Sequence, residues 1–184
     1  MKRIIIGAIV GTIILFAFQA LMWMGGCNRE FYRYAPMQDS LLSRMSKTLP
    51  GEGLYSMPMA DPTAADYNAK QAEIRNKLVG KPWAMVFYHT KMDYSGMGFL
   101  YGILGSLIAS LFVATVLYAG KFGNFAARFA VVFAFGLFAL IMGPLSDMNW
   151  WSFPWSFIRP KVLDLVIGWG LVSVWMGWFV KPKV

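Results

Sequence analysis

The chain has 184 residues, of which 58% are hydrophobic and 14% charged, and its net charge is +8. So large an apolar fraction excludes an ordinary soluble domain. The basic excess does not indicate nucleic-acid binding, because much of it flanks apolar runs and no segment combines clustered Lys and Arg with base-reading side chains.

The first predicted element is a membrane helix over residues 4–26, where Thr12 and Gln19 are the only polar side chains. The run exceeds the ~20 residues that cross a hydrocarbon core about 30 Å thick. The basic start and the small residues before Cys27 also fit a lipoprotein signal. The run is longer than a signal core, however, and Met24 stands where a branched aliphatic residue is usual. We therefore expect an uncleaved helix, with lipidation of Cys27 as the alternative.

Residues 27–95 are predicted to form a small α/β cap outside the membrane, between the first two membrane helices. A helix with apolar residues at helical spacing comes first and stops at a Pro-Gly pair. The extended piece GLYSMPM follows, and Asp61-Pro62 starts a second helix that Gly80 ends. KPWAMVFYH is predicted to be a strand that pairs with the extended piece.

The second predicted membrane helix covers residues 96–120 and has no charged residue. Small residues recur in it every four positions, which lets two helix backbones approach closely. This stripe consists of Gly98, Gly102, Ser106, Ser110 and Ala114. We expect the stripe to pack inside the bundle, and contact with another membrane protein is the alternative.

The third and fourth predicted membrane helices cover residues 129–145 and 162–180, separated by an aromatic outer loop, 146–161. Pro154 is expected to bend this loop. Because Trp rings favour the depth of the lipid headgroups, we expect the loop to anchor the protein at the membrane interface. Dense Trp is also typical of binding hot spots, so docking of a protein or pigment is the alternative. The residues concerned are Trp150, Trp151, Trp155 and Phe157.

The positions of Lys and Arg predict the orientation. Basic residues without acids flank both ends of the chain and the turn between the second and third helices: Lys2, Arg3, Lys121, Arg128, Lys181 and Lys183. By the positive-inside rule, both termini are predicted to be cytoplasmic.

No motif indicates catalysis. His89 is the only histidine, and no GxSxG, GxGxxG or P-loop sequence occurs. We therefore predict a protein that is not an enzyme and needs no cofactor. Gln19 and Asp164 are the polar residues within the membrane runs that we single out. Asp164 is expected to cap the fourth helix and to pair with Arg159 or Lys161, and a proton or ion site is the alternative.

Several methionines accompany the histidine in the predicted cap. Thioether and imidazole groups suit Cu(I), and the candidate ligands are Met57, Met59, His89 and Met92. Methionine is also common packing material, so core packing is the favoured interpretation.

Several segments carry a resemblance: the basic start, FYRYAPMQD, GLYSMP, KPWAMVFYH and WMGWF before a basic tail. In these the chain resembles small four-helix inner-membrane proteins of Bacteroidota and related bacteria, which implies the topology and no activity. The predicted fold class is an all-α integral membrane protein with four transmembrane helices and the α/β cap. The predicted function is that of a non-catalytic accessory or scaffolding subunit of a larger membrane complex, with the lipid bilayer and other membrane subunits as partners. A membrane protein that handles a small solute or copper is the alternative.

Overall fold

The computed structural model describes residues 1–26, 29–93 and 95–182, so the prediction on Cys27 lies outside the described residues. The chain divides into two compact units. The first, here called the bundle, comprises Met1–Tyr34 and Ser95–Val184. The second, here called the cap unit, comprises Ala35–Tyr94.

The described part of the bundle contains four helices that are long and apolar enough to cross a membrane, as predicted. They are Lys2–Met24, Met97–Ala119, Phe125–Trp151 and Trp155–Phe179. With 23 to 27 residues each, they extend about 35–40 Å, more than the ~30 Å of a hydrocarbon core. These helices suggest a multi-pass membrane protein.

The third and fourth spans are each interrupted by one π-helical turn. The first two spans are α1 (Lys2–Met24) and α4 (Met97–Ala119). The third span consists of α5 (Phe125–Leu140), the π turn Ile141–Leu145 and α6 (Ser146–Trp151). The fourth span consists of α7 (Trp155–Leu163), the π turn Asp164–Gly168 and α8 (Trp169–Phe179). Pro144 lies inside the first π turn and Pro160 lies four residues before the second. Proline lacks an N–H and crowds the preceding turn, which the widened turn around Pro144 accommodates. Pro160 precedes the second π turn, so the same reason does not account for that turn.

The prediction of an aromatic loop over 146–161 is wrong in extent. Both halves of this segment are helical, and only residues 152–154 separate α6 from α7. Ser152 has a left-handed backbone with φ of 54°, and Pro154 caps the start of α7. Proline is tolerated at a helix start because the first N–H groups of a helix have no partner within it.

The bundle is packed most tightly at the end where α1 begins and α8 finishes. α1 packs against α4 and α8, and α5 packs against α8. A Cβ added to Gly11 would lie 2.6 Å from the Met176 Cε atom and 3.3 Å from the Ser110 Oγ atom. A side chain at this position would force Met176 and Ser110 to move, so glycine lets three helices meet here. The hydrophobic residues with no exposed surface are Ala8, Ala114, Leu117, Val132, Ile158, Val172, Met176 and Val180.

Arg128 is buried at the same end and joins two helices. Its Nε donates a hydrogen bond to the Gly177 carbonyl at 2.7 Å, and its Nη1 donates to the Phe122 and Gly123 carbonyls at 3.0 and 3.3 Å. From the sequence, Arg128 was expected only to be a charge flanking a membrane helix. In the structure its guanidinium links the turn before α5 to the last turns of α8.

The cap unit has the predicted order of helix, strand, helix and strand. Its elements are α2 (Gln38–Thr48), β1 (Gly53–Met57), α3 (Tyr67–Leu78) and β2 (Ala84–Tyr88). The two strands pair as predicted, and the structure shows that the pairing is antiparallel, with Gly53 opposite Tyr88 and Met57 opposite Ala84. The second helix begins later than predicted, because the Asp61 carboxylate accepts hydrogen bonds from the Thr63 N–H and hydroxyl and holds a turn there.

Candidate functional site

The small-residue stripe of α4 divides into two halves with different surroundings. Ser110 and Ala114 are fully buried, and Gly11 and Gly7 of α1 approach them. This half packs inside the bundle. Around Gly98, Gly102 and Gly105, an added Cβ would meet no described atom within 4 Å.

The winding of the helix explains this division. Four residues advance 400°, so a stripe with this spacing turns by roughly 40° at each step. Between Gly98 and Ser110, three steps rotate the stripe by about 120° around the axis. The stripe therefore leaves the contact with α1, and its first half forms a separate surface, here called the glycine face: Gly98, Gly102 and Gly105.

The four aromatic residues predicted to dock or anchor also separate. Trp150, Trp151 and Trp155 have 78%, 50% and 55% of their surface exposed. Phe157 is half-buried and packs within the bundle, with its ring 4.8 Å from the Phe153 ring and 5.1 Å from the Phe31 ring. The tryptophans are thus available to lipid or to a partner, whereas Phe157 belongs to an internal aromatic group.

This internal aromatic group also contains Trp23 and receives a cation. Trp23 meets Phe31 edge to face, with ring centroids 5.6 Å apart. The Lys161 ammonium lies 4.3 Å from the centroid of the Phe157 ring, which is a cation–π contact. Within the described residues the ammonium makes no ion pair with Asp164, contrary to one of the two pairings predicted.

Asp164 instead pairs with Gln19, which lies 145 positions earlier in the chain. The Gln19 Nε2 atom donates a hydrogen bond to the Asp164 Oδ2 atom at 3.2 Å. The Oδ1 atom is buried and has no hydrogen-bond partner among the described residues. Asp164 is the first residue of the second π turn, and such turns are frequent at functional sites. The two polar residues singled out in the sequence therefore form one group.

A cavity of about 270 Å³ opens beside Asp164, which lines it. Its walls come from the last turns of α1, the segment after α1, and both proline-containing regions. The lining residues are Met22, Trp23, Phe31, Pro144, Pro160, Lys161, Asp164 and Leu165. One carboxyl and one ammonium group thus face a small and otherwise apolar cavity, here called the Asp164 cavity. This cavity is the candidate functional site.

The structure does not bring the candidate copper ligands together. Met57 pairs with Ala84 at one end of the two-stranded sheet, and His89 follows the residue that pairs with Gly53 at the other end. At about 3.4 Å per residue, the two ends are roughly 15 Å apart. His89 and Met92 border a cleft along α2 and β2, and Met57 and Met59 are not among its lining residues. No cluster of His, Cys, Asp and Glu suited to a metal occurs in the part of the chain described.

Two components of the Asp164 cavity were not predicted from the sequence. Phe31 lies in a one-turn 3-10 helix, Arg29–Phe31, that no periodicity marked. The π turns were also missed, although prolines inside an apolar run are a usable signal for a distorted helix. The pairing of Gln19 with Asp164 requires the helices to be placed, so no local pattern could have shown it.

No protein-family model, curated protein or solved structure matches the chain.

Proposed function

We propose that this protein is a non-catalytic, multi-pass protein of a bacterial inner membrane that acts as an accessory or scaffolding subunit. In this proposal a transmembrane helix of another subunit docks on the glycine face of α4. The single observation that carries the proposal is that three glycines on one helix surface have no described atom of this chain within 4 Å of an added Cβ.

The cost of glycine in a helix supports docking at the glycine face. A glycine in a helix interior costs about 0.5–1 kcal/mol relative to alanine, because it loses more backbone freedom on folding. At Gly11 the close approach of Met176 and Ser110 offsets that cost. On the glycine face, no contact within the described chain does so. A second helix brought to close distance would offset it through van der Waals contact.

The other features agree with the same class of function. Trp150, Trp151 and Trp155 point outward near the end of the third span and the start of the fourth, where they would meet lipid headgroups or a neighbouring subunit. The basic residues at the opposite end support cytoplasmic termini through the positive-inside rule. The copper-handling alternative lacks such support, since the sheet register separates its candidate ligands.

The test is purification in mild detergent from the native membrane, comparing wild type with Gly102→Leu. A leucine on the glycine face would hold a docked helix away, so we expect neighbouring subunits to be lost while the protein remains inserted and folded. Leu104→Phe is the matched control, because Leu104 is exposed on a different side of the same helix. It adds bulk there and should retain the neighbours. Full stoichiometry of neighbours with both variants would refute docking at this face.

A further inference from the structure

The Asp164 cavity combines a carboxyl group, an ammonium group and apolar walls in a space of about 270 Å³. We propose that it binds the headgroup of an aminophospholipid, with the lipid ammonium at Asp164 and the lipid phosphate at Lys161. This inference requires the bundle to lie in a membrane, but it does not depend on docking at the glycine face, which lies on α4.

The Asp164 carboxyl group has unused capacity to accept hydrogen bonds. Two carboxylate oxygens can accept about four, and among the described residues Asp164 receives one, from Gln19. The Oδ1 atom receives none although it is buried. An ionised carboxylate without a countercharge is costly to bury. A primary ammonium group in the cavity would supply the countercharge and an N–H donor to the carboxyl group.

Lys161 provides the complementary charge on the same helix face. It precedes Asp164 by three residues, and residues three apart are neighbours on a helix surface. Both side chains line the cavity. Because the Lys161 ammonium rests over the Phe157 ring rather than on a carboxylate, it is available for an anion. An ammonium and a phosphate joined by a short linker match this pair of charges.

The size and depth of the cavity favour a headgroup over a larger ligand. Its volume is slightly below the ~300–1,000 Å³ typical of sites that enclose whole small molecules. Along the helix axis, Lys161 lies roughly 9 Å and Asp164 roughly 14 Å from the start of α7. For a helix of 25 residues centred in a membrane, both then lie within about 10 Å of the hydrocarbon surface. A bound headgroup could therefore keep its acyl chains in the bilayer, alongside Pro144, Pro160 and Leu165.

A ligand that fits both Asp164 and Lys161 must carry a positive and a negative charge. A simple anion would meet the Asp164 carboxylate, and a simple cation would meet the Lys161 ammonium, so either would be repelled by one wall. A choline headgroup carries both charges, but its quaternary ammonium has no N–H to donate to the carboxylate. The chemistry therefore favours phosphatidylethanolamine over phosphatidylglycerol and phosphatidylcholine.

The experiment measures lipid binding to the detergent-purified full chain by native mass spectrometry. Phosphatidylethanolamine, phosphatidylglycerol and phosphatidylcholine with identical acyl chains are titrated separately. We expect phosphatidylethanolamine to bind most tightly to wild type. Asp164→Asn should weaken it about tenfold, to the level of phosphatidylglycerol, because it removes one charge-assisted hydrogen bond. Lys161→Gln should weaken phosphatidylethanolamine and phosphatidylglycerol alike, since both carry the phosphate.

Two controls keep the outcome decisive. Lys121→Gln removes a lysine from the opposite end of the bundle and should leave all three affinities unchanged. Since Asp164→Asn could disturb folding, Lys161→Gln, at a partly exposed residue, provides a second test that does not alter the bond with Gln19. Equal binding of the three lipids, unchanged by either cavity variant, would overturn the proposal. So would tight binding of free phosphoethanolamine without acyl chains.

Discussion

The bundle and the cap unit are stabilised in different ways. Most buried hydrophobic side chains of the described chain lie in the bundle, where the helices meet over small residues. In the described part of the cap unit, Ala60 and Tyr88 are the only buried hydrophobic residues. The helix α2 has none, and its Leu41 and Leu42 are about half exposed. The apolar helix face predicted there exists, but the cap unit does not bury it.

In the cap unit, polar hydrogen bonds contribute to stability where few apolar side chains are buried. The Ala60 N–H donates to the Gln71 side chain at 3.0 Å, and the Thr90 N–H and hydroxyl donate to the Glu52 carboxylate at 3.1 and 2.8 Å. Its ion pairs, such as Lys70 with Asp66, are exposed and contribute little. The bundle should therefore respond strongly to changes in side-chain volume, and the cap unit weakly and mainly to changes in polar groups.

Gly11→Leu should have the largest effect. The added side chain would collide with Met176 and Ser110, and overpacking of this kind costs about 3 kcal/mol. Thermal unfolding in detergent measures the loss. Gly105→Leu is the control, because an added Cβ there meets nothing within 4 Å. Equal destabilisation by the two variants would show that close packing is not confined to the end of the bundle near Gly11.

Arg128→Met should have the next largest effect. It keeps most of the side-chain volume but leaves the carbonyls of Gly177, Phe122 and Gly123 without their donor. The loss of buried hydrogen bonds should cost about 2 kcal/mol, measured by the same unfolding assay. Arg128→Lys retains the charge without the planar fork, so it should recover part of the stability. Full recovery would attribute the role to charge alone.

Phe157→Ala should destabilise the bundle by about 1.5 kcal/mol, roughly half of the cost for a fully buried phenylalanine. The reason is the loss of its contacts with Phe31 and Phe153. Trp150→Ala removes a larger but mostly exposed side chain and should change the unfolding temperature less. The reverse order would show that the outward tryptophans, rather than the internal aromatic group, stabilise this end.

The smallest effect is expected from pH in the cap unit. Hydrogen bonds from the Thr90 hydroxyl and then from its N–H lower the pKa of Glu52 below its ordinary value of 4.5. A lowered pKa means that folding favours the ionised form, so this stabilisation is present above pH 4.5 and is lost as the pH falls through the lower folded value. The protection factors of the β1 and β2 amides, which correct for the intrinsic pH dependence of hydrogen exchange, should fall over that range. Thr90→Val should reduce this dependence, and an unchanged profile would exclude the Glu52–Thr90 link as its source.

The sequence by itself determined the main elements of the chain. Four apolar runs are long enough to cross a membrane because of composition and length alone, and the order and pairing of the cap strands follow from local turn and strand signals. The small residues Ser110 and Ala114 were also recognised, since close helix packing requires small side chains. These features depend on short stretches of chain, which local patterns describe.

Only the tertiary structure decided which residues meet. The pairing of Gln19 with Asp164 joins two spans, and it depends on how α1 lies against the π turn of the fourth span. The division of the α4 stripe depends on where α1 contacts it, and the burial of Arg128 depends on the position of Gly177. In each case the deciding quantity is a distance between residues far apart in the chain, set by the packing of whole helices.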